Sequence, residues 1–155
     1  MIRVFGDGEN RHRLENASGT RIGWIRGRVV GFHGVRDENE AKEAVLAAYP
    51  PLEAALRQHY PGWPHHQPSA EGVRLVTDGA YEWVADRTQP LARLVRPAHG
   101  RNRGPLGVEF VLPSYASEGV AMSVAQVLAR ALHPFLVDSA SVDEDAVDET
   151  ASATA

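Results

Sequence analysis

The strongest constraint on the fold is an Asp78-Gly79 dipeptide that separates two short runs of β-branched and aromatic residues, residues 73–77 and 80–84. Asp-Gly is a preferred pair for the two-residue turn of a β-hairpin, because such a turn needs positive φ and glycine adopts it without strain. The sequence therefore predicts an antiparallel hairpin over residues 73–84.

The two sides of this hairpin differ in chemistry. If Asp78-Gly79 forms the turn, counting outward places Val76 opposite Tyr81 and Arg74 opposite Trp83 on one side. The other side carries aliphatic side chains, those of Val73, Leu75 and Val84. We expect the aliphatic side to pack on the core, and the side with rings and a guanidinium group to face solvent as a binding surface.

A second hairpin is predicted over residues 20–33, with Arg26-Gly27 as its turn. A two-residue turn there would place Arg21 opposite Phe32, which adds another ring and guanidinium group to the predicted binding surface. Trp24 would lie among apolar partners in this register. We therefore expect Trp24 to belong to the core.

The first predicted helix follows this hairpin. Asp37 and Glu40 form a start that resembles a capping box, and an apolar stripe at helical spacing then continues across Pro50-Pro51. Proline interrupts the hydrogen bonding of a helix interior but suits a first turn. The pattern thus predicts one helix to about Ala48, a kink, and another helix from Pro51.

The second half of the chain also ends in a predicted helix. Ser117 is the expected N-cap, and the apolar stripe that follows stops before Pro134. Further strands are predicted over residues 2–5, 10–15, 91–96 and 107–112.

Each half of the chain then consists of several strands followed by a helix. The halves, residues 1–60 and 72–137, are joined by a Pro/His-rich loop over residues 60–71. This order predicts a single α+β domain over residues 1–137, with an antiparallel sheet or sheets and helices packed on one face. It also fits a degenerate duplication of a strand–helix unit. Residues 138–155 lack aromatic residues and apolar periodicity, which predicts a disordered acidic tail.

Charge is distributed unevenly along the chain. Six of the 20 acidic residues lie at or after Asp138, whereas all 16 basic residues precede it. The part before Asp138 therefore holds 14 acids and is close to neutral, at +2. Fifteen of the 16 basic residues are arginine, an excess that we attribute first to a GC-rich, bacterial type of genome and second to planar, bidentate contacts.

Composition also predicts where the protein resides. The chain has no cysteine, which favours a reducing compartment. Its first residues contain no apolar signal region, and no run approaches the ~18 apolar residues of a membrane-spanning helix. We expect a cytoplasmic protein with no membrane contact, and no motif in the sequence indicates a cofactor.

Two acid-free stretches, residues 16–36 and 87–108, concentrate arginines near the two hairpins. These stretches and the ring-bearing sides of the two hairpins together supply the candidate binding residues. They are Arg21, Phe32, Arg74, Tyr81, Trp83, Arg93, Arg96, Arg101 and Arg103. Arginine and aromatic residues are typical of interface hot spots, so we predict a non-catalytic binding or accessory module for a protein partner. The alternative is a single-stranded nucleic-acid-binding domain that uses the same surface, with the acidic tail as an intramolecular competitor.

A metal site is the first of two further interpretations. His65-His66 lies in the Pro/His-rich loop, with His59 and Glu71 as additional potential ligands. Adjacent histidines in an extended segment point in opposite directions, and their spacing matches no metal-binding motif. We therefore assign no metal ligand.

Acid–base catalysis is the second. Glu82 and Glu109 lie within predicted strands, where a carboxylate beside His33 or His99 could act as a general base. The serines that precede the last helix are better explained as caps. We assign no catalytic residue, and a small enzyme or metal protein that uses His and Glu groups is the second alternative function.

Overall fold

The computed structural model describes residues 2–6, 8–64, 68–96 and 105–136. They form one antiparallel sheet of eight strands and two α-helices, which confirms the predicted α+β class. In chain order the strands are β1 (Arg3–Gly6), β2 (Arg11–Glu15), β3 (Arg21–Arg26), β4 (Val29–Val35), β5 (Val73–Asp78), β6 (Tyr81–Asp86), β7 (Gln89–Val95) and β8 (Leu106–Val111). Helix α1 (Glu38–His59) connects β4 to β5, and helix α2 (Glu118–Leu132) follows β8.

The order of strands across the sheet is β1-β2-β3-β4-β8-β7-β6-β5. Two meanders of four strands therefore meet at the centre, where β4 pairs with β8 and aligns Val30 with Phe110 and Phe32 with Val108. The two halves of the chain thus share one continuous sheet. A duplication of the two halves stays a prediction.

Both predicted hairpins exist, but each turn lies one residue later than predicted. Gly79, with φ +63°, begins the β5–β6 turn, so that Asp78 pairs with Tyr81. Gly27, with φ +62°, likewise begins the β3–β4 turn. In both turns, glycine occupies the first of the two turn positions. Only this first position has positive φ, as in turns of type II′.

This displacement changes the cross-strand partners and preserves the sides of the hairpin. Trp83 pairs with Val76 and not with Arg74 as predicted. Because the pairing shifts by two positions and side chains alternate along a strand, each side chain stays on its predicted side. Val73 and Val84 are accordingly buried, at 8 % and 0 % exposure, as expected.

Phe32 and Trp24 exchange their predicted places. Phe32 is completely buried, so its predicted place on the binding surface is wrong. It pairs with Gly23, where an added Cβ would approach the Phe32 ring to 3.1 Å. Trp24 pairs with Gly31 on the opposite side of the sheet and does not belong to the core of the described residues, so its predicted core position is also wrong.

Helix α1 is a single helix of 22 residues that runs through both prolines, and the predicted division at Pro50-Pro51 is wrong. The apolar stripe explains this continuity, since Ala48, Tyr49 and Leu52 on either side of the prolines are all buried in the core. Burial of these side chains outweighs the loss of backbone hydrogen bonds at proline. The predicted N-cap is confirmed, because the side chain of Asp37 accepts a hydrogen bond from the backbone N–H of Glu40.

Helix α2 begins as predicted, with the side chain of Ser117 accepting a hydrogen bond from the backbone N–H of Val120. The two helices contact each other, α1 also contacts β4 to β8, and α2 contacts β3 and β4. Packing of both helices on one face of the sheet stays a prediction. Within the described ranges, neither helix combines the length and the apolar character needed to cross a bilayer.

Candidate binding surface

One residue from each strand lies in a single cross-strand row that extends across the whole sheet. In sheet order the row contains Phe5, Arg13, Trp24, Gly31, Glu109, Arg93, Trp83 and Val76. Rings and guanidinium groups alternate toward both ends of the row. None of these residues belongs to the core cluster of the described part of the chain. We call this side of the sheet the tryptophan face.

A buried carboxylate lies at the centre of the row. Glu109 is only 5 % exposed, and one of its oxygens, Oε2, accepts a hydrogen bond of 2.9 Å from Trp24 Nε1. The other oxygen, Oε1, accepts from Arg93 through Nε at 2.9 Å and Nη2 at 2.8 Å. The carboxylate therefore joins β3, β8 and β7. Because both of its oxygens are engaged, Glu109 serves as a structural anchor and does not support the general-base role considered from the sequence.

Two glycines make room for the indole of Trp24. An added Cβ at Gly31 would lie 2.2 Å from the indole Cε2, and one at Gly107 would lie 3.2 Å from Cη2. The indole therefore lies directly against the backbone of β4 and β8. The ring of His33 stacks on Trp24 with centroids 6.0 Å apart and planes 10° apart.

His33 is uncharged in this arrangement at neutral pH. Burial, and to a lesser extent the positive charge of Arg21, lower the pKa of His33 from 6.5 to about 4. The histidine thus contributes a flat ring to the tryptophan face without adding charge. Its closeness to Arg21 also places that predicted binding residue on this face.

The end of the face formed by β5, β6 and β7 contains four of the predicted binding residues. The guanidinium group of Arg93 lies 4.6 Å from the ring centroid of Tyr81 and 5.8 Å from that of Trp83. Tyr81 is 53 % exposed, and Arg74 is exposed on the neighbouring strand. Arg93, Tyr81 and Trp83 thus lie together, with Arg74 on the same side of the sheet opposite Ala85, and a binding role for these four residues stays a prediction.

The end formed by β1, β2 and β3 is more basic than the sequence indicated. Arg11 and Arg26 lie directly opposite each other and are both exposed. Arg13 lies 4.9 Å from the ring centroid of Phe5, and its Nε is 2.7 Å from Glu15 Oε2. Sequence analysis missed Arg11 and Arg13 because β1 and β2 have weak strand patterns, whereas Arg26 lies in the acid-free stretch 16–36. The alternation of arginine at positions 11 and 13 was the available signal.

Comparison with protein-family models, curated proteins and solved structures finds no match to this chain.

Arg96 does not belong to the tryptophan face, contrary to the prediction. It follows Leu94 and Val95 on β7 and projects to the core side, where Glu82 also pairs with Leu94. Arg96 forms two hydrogen bonds to the carboxylate of Glu82, at 2.8 and 2.9 Å, and a third to Glu38 in the first turn of α1. These bonds lower the pKa of Glu82 and raise that of Arg96. Arg96 thus ties β6 and β7 to α1.

The remaining candidates from the sequence lie either outside the described residues or against the core. Arg101, Arg103, His99, His65 and His66 lie outside the described residues. Trp63 is partly buried and packs against the core. In the described ranges, no group of three or more His, Cys, Asp or Glu residues has the arrangement of a metal site.

A small cleft lies between the β1–β2 and β3–β4 turns and the start of α2. Its volume is about 250 Å³, and within it His12 Nε2 lies 3.1 Å from Glu118 Oε2. Arg28, which also lines it, donates a hydrogen bond to the carbonyl of Leu112. The cleft is open to solvent, and the contact between His12 and Glu118 joins β2 to the start of α2.

Proposed function

We propose that the protein is a non-catalytic binding module whose tryptophan face binds a protein partner. One observation carries this proposal. Tyr81, Trp83 and Arg93 form an interacting group outside the core, and Tyr81 has more than half of its surface exposed. Aromatic residues and arginine contribute most of the binding energy at many interfaces, which supports a contact role for this group.

The order of these side chains before binding supports the same role. Arg93 is fixed by its hydrogen bonds to Glu109, and Tyr81 lies against its guanidinium group. Immobilising a free side chain at an interface costs about 0.5 to 1.5 kcal/mol, and a side chain that is already fixed avoids much of this cost. The charge of Arg93 is also compensated, which favours flat, weakly charged protein surfaces over a phosphate backbone.

Site-specific photocrosslinking in cells tests the proposal. The photoreactive residue p-benzoylphenylalanine replaces Tyr81 in one variant and Tyr115 in a matched control. Both tyrosines are exposed, at 53 % and 64 %, but Tyr115 lies in the β8–α2 connection against Tyr60, at a ring-centroid distance of 5.1 Å. We expect discrete protein adducts from position 81 that are absent from position 115.

A second substitution makes this test specific. Adding Trp83→Ala to the variant with the photoreactive residue at position 81 should reduce the adduct at least fivefold, while circular dichroism shows a folded protein. Identical adducts from positions 81 and 115, adducts with nucleic acid alone, or no adduct from position 81 would contradict protein binding by this face.

A second candidate function is single-stranded nucleic-acid binding, and one observation favours it. Arg11 and Arg26 lie opposite each other near the rings of Trp24 and Phe5, so guanidinium groups for phosphates adjoin rings for bases. Titration of a fluorescent oligonucleotide at 50 and 200 mM salt tests this candidate. Binding through about three phosphates would weaken roughly tenfold or more between these concentrations. An unchanged signal at 50 mM salt would exclude it.

A further inference from the structure

The basic end of the tryptophan face holds four arginines outside the close ion pairs of the described residues, although Glu15 lies opposite Arg3 and Arg21 in the strand register. Arg3, Arg11, Arg21 and Arg26 form no ion pair within the described part of the chain. We call these four residues the arginine cluster. Arg11 and Arg26 are moreover direct cross-strand neighbours, and like charges in that position destabilise a sheet. An anionic occupant would relieve this repulsion.

The described chain ends close to one side of this cluster. Leu136 forms an antiparallel bridge with Val35 at the end of β4. Because Leu106 of β8 pairs with Val35 on one side, Leu136 occupies the other side, the one on which β3 pairs with β4. Leu136 therefore lies in line with the start of β3, where Arg21 begins the strand.

The residues that follow have the opposite charge. Residues 137–155 contain six acids and no base, and the acids are Asp138, Asp143, Glu144, Asp145, Asp148 and Glu149. Their spacing matches the cluster, since Asp138 and Asp143 are separated by the same number of residues as Arg21 and Arg26. Extended chain covers about 3.3 Å per residue, as a strand does. A segment that runs along β3 from Leu136 thus brings an acid to each end of the strand.

We propose that residues 137–155 dock on the arginine cluster of the tryptophan face, with Asp138 near Arg21 and the acids from Asp143 to Asp145 near Arg26 and Arg11. The occupant of the basic end is then a segment of the same chain. An anionic partner that binds this end has to displace that segment. This proposal is independent of the proposed function, which concerns the β5–β7 end of the face.

Paramagnetic relaxation tests the docking in the full chain. The chain contains no cysteine, so Ser141→Cys gives a single site for a nitroxide label between the two groups of acids. Docking predicts broadening of the backbone amide signals of residues 11–14 and 24–26 at low salt. Signals near Val35 broaden in any case, because Leu136 holds the segment there. The signals at the far end of β3 are therefore the readout.

Charge substitutions provide the controls. Arg11→Gln with Arg26→Gln should remove most of the broadening at residues 24–26, whereas Arg74→Gln with Arg130→Gln, an equal change in charge at exposed sites elsewhere, should leave it unchanged. Asp143→Asn, Glu144→Gln and Asp145→Asn together should remove it without altering the described fold. In 1 M salt, where the screening length is about 3 Å, the broadening should also be lost.

Absence of broadening at residues 24–26 in low salt would overturn the proposal. So would broadening that persists in both charge-removal variants, or broadening confined to β5 and β6. Photocrosslinking at position 81 reports on the other end of the face, so failure of one proposal is distinguishable from failure of the other.

Discussion

At the scale of single residues, the tryptophan face depends on the absence of a side chain at position 31. The indole of Trp24 rests on the backbone of Gly31, and its N–H reaches the carboxylate of Glu109 from there. A close contact between a ring and backbone leaves no room for even a methyl group. The position of the central carboxylate thus depends on one glycine.

Replacing that glycine gives a prediction about stability. Gly31→Ala places a methyl carbon within van der Waals overlap of the indole, so the ring must move and its hydrogen bond to Glu109 must lengthen. Overpacking of this kind costs about 1 to 3 kcal/mol of unfolding free energy, measurable by urea titration. Gly62→Ala is the matched control, because an added Cβ there meets no atom within 4 Å. Equal stability of the two variants would contradict the contact.

His33 gives a prediction about pH. The pKa of this histidine is about 4 in the folded state and 6.5 in an unfolded chain, so the unfolded state binds more protons between these values. Stability from this group is complete above pH 6.5 and declines as pH falls toward 4. From pH 7 to pH 5 the loss is at most about 2 kcal/mol.

The variant His33→Gln isolates this effect. Other titrating groups are common to both chains, so the difference between their urea midpoints at pH 7 and pH 5 reports on position 33 alone. A parallel decline in the two proteins would show that His33 titrates as it does in an unfolded chain.

For the β5–β6 hairpin, the sequence predicted the side of the sheet on which each residue lies better than it predicted the cross-strand partners. Alternation along a strand placed Tyr81 and Trp83 on the same side as Arg74, whatever the register. The cross-strand partner of Trp83 depends on which residue begins the turn. The turn begins at Gly79 and not at Asp78, so Trp83 pairs with Val76. Phe32 was assigned wrongly because Gly23, its actual partner, leaves a space that the sequence pattern does not reveal.

At the scale of elements, helix α1 combines a favourable N-terminal cap with an interior that proline destabilises. Asp37 caps its first turn, but Pro50 and Pro51 remove two backbone donors from its interior. The caps were predictable because their hydrogen bonds are local in sequence. Continuity through the prolines was not, because it depends on packing of Tyr49 and Leu52 against a core that a helix pattern cannot specify.

Replacement of the exposed proline tests this balance. Pro50→Ala restores a backbone N–H on the solvent side of the helix, and proline in a helix interior is less favourable than alanine by about 3 kcal/mol. We expect the unfolding free energy to rise by about 1 to 3 kcal/mol in thermal and urea denaturation. Lower stability of the variant would indicate that proline shapes the helix to fit the core.

At the scale of the whole molecule, the two halves meet through β4 and β8. The α+β class was predictable from strand and helix periods. The central pairing was not, because its partners are separated along the chain by α1 and three strands and leave no local pattern. Arg21 of the arginine cluster was predicted from the sequence, but its proximity to Arg11 was not, since that depends on the pairing of β2 with β3.

This pairing predicts cooperative unfolding of a single domain. Circular dichroism and tryptophan fluorescence should give coincident transitions in urea, because Trp24 and Trp83 lie in different halves of one sheet. Phe110→Ala, at the central pair with Val30, should lower stability by about 3 to 5 kcal/mol and move both transitions together. Two separate transitions would show that the halves fold independently.

The position of β8 also bears on synthesis of the protein. When β1 to β4 and α1 have left the ribosome, β8, which pairs with β4 at the centre of the sheet, has not yet been made. It is the last strand of the sheet to be translated. Until then the nascent chain carries an unpaired, strongly apolar strand border at what will become the middle of the sheet. Closure of the fold is therefore a late event in translation, and chaperones that shield apolar strand borders have their main opportunity before β8 emerges.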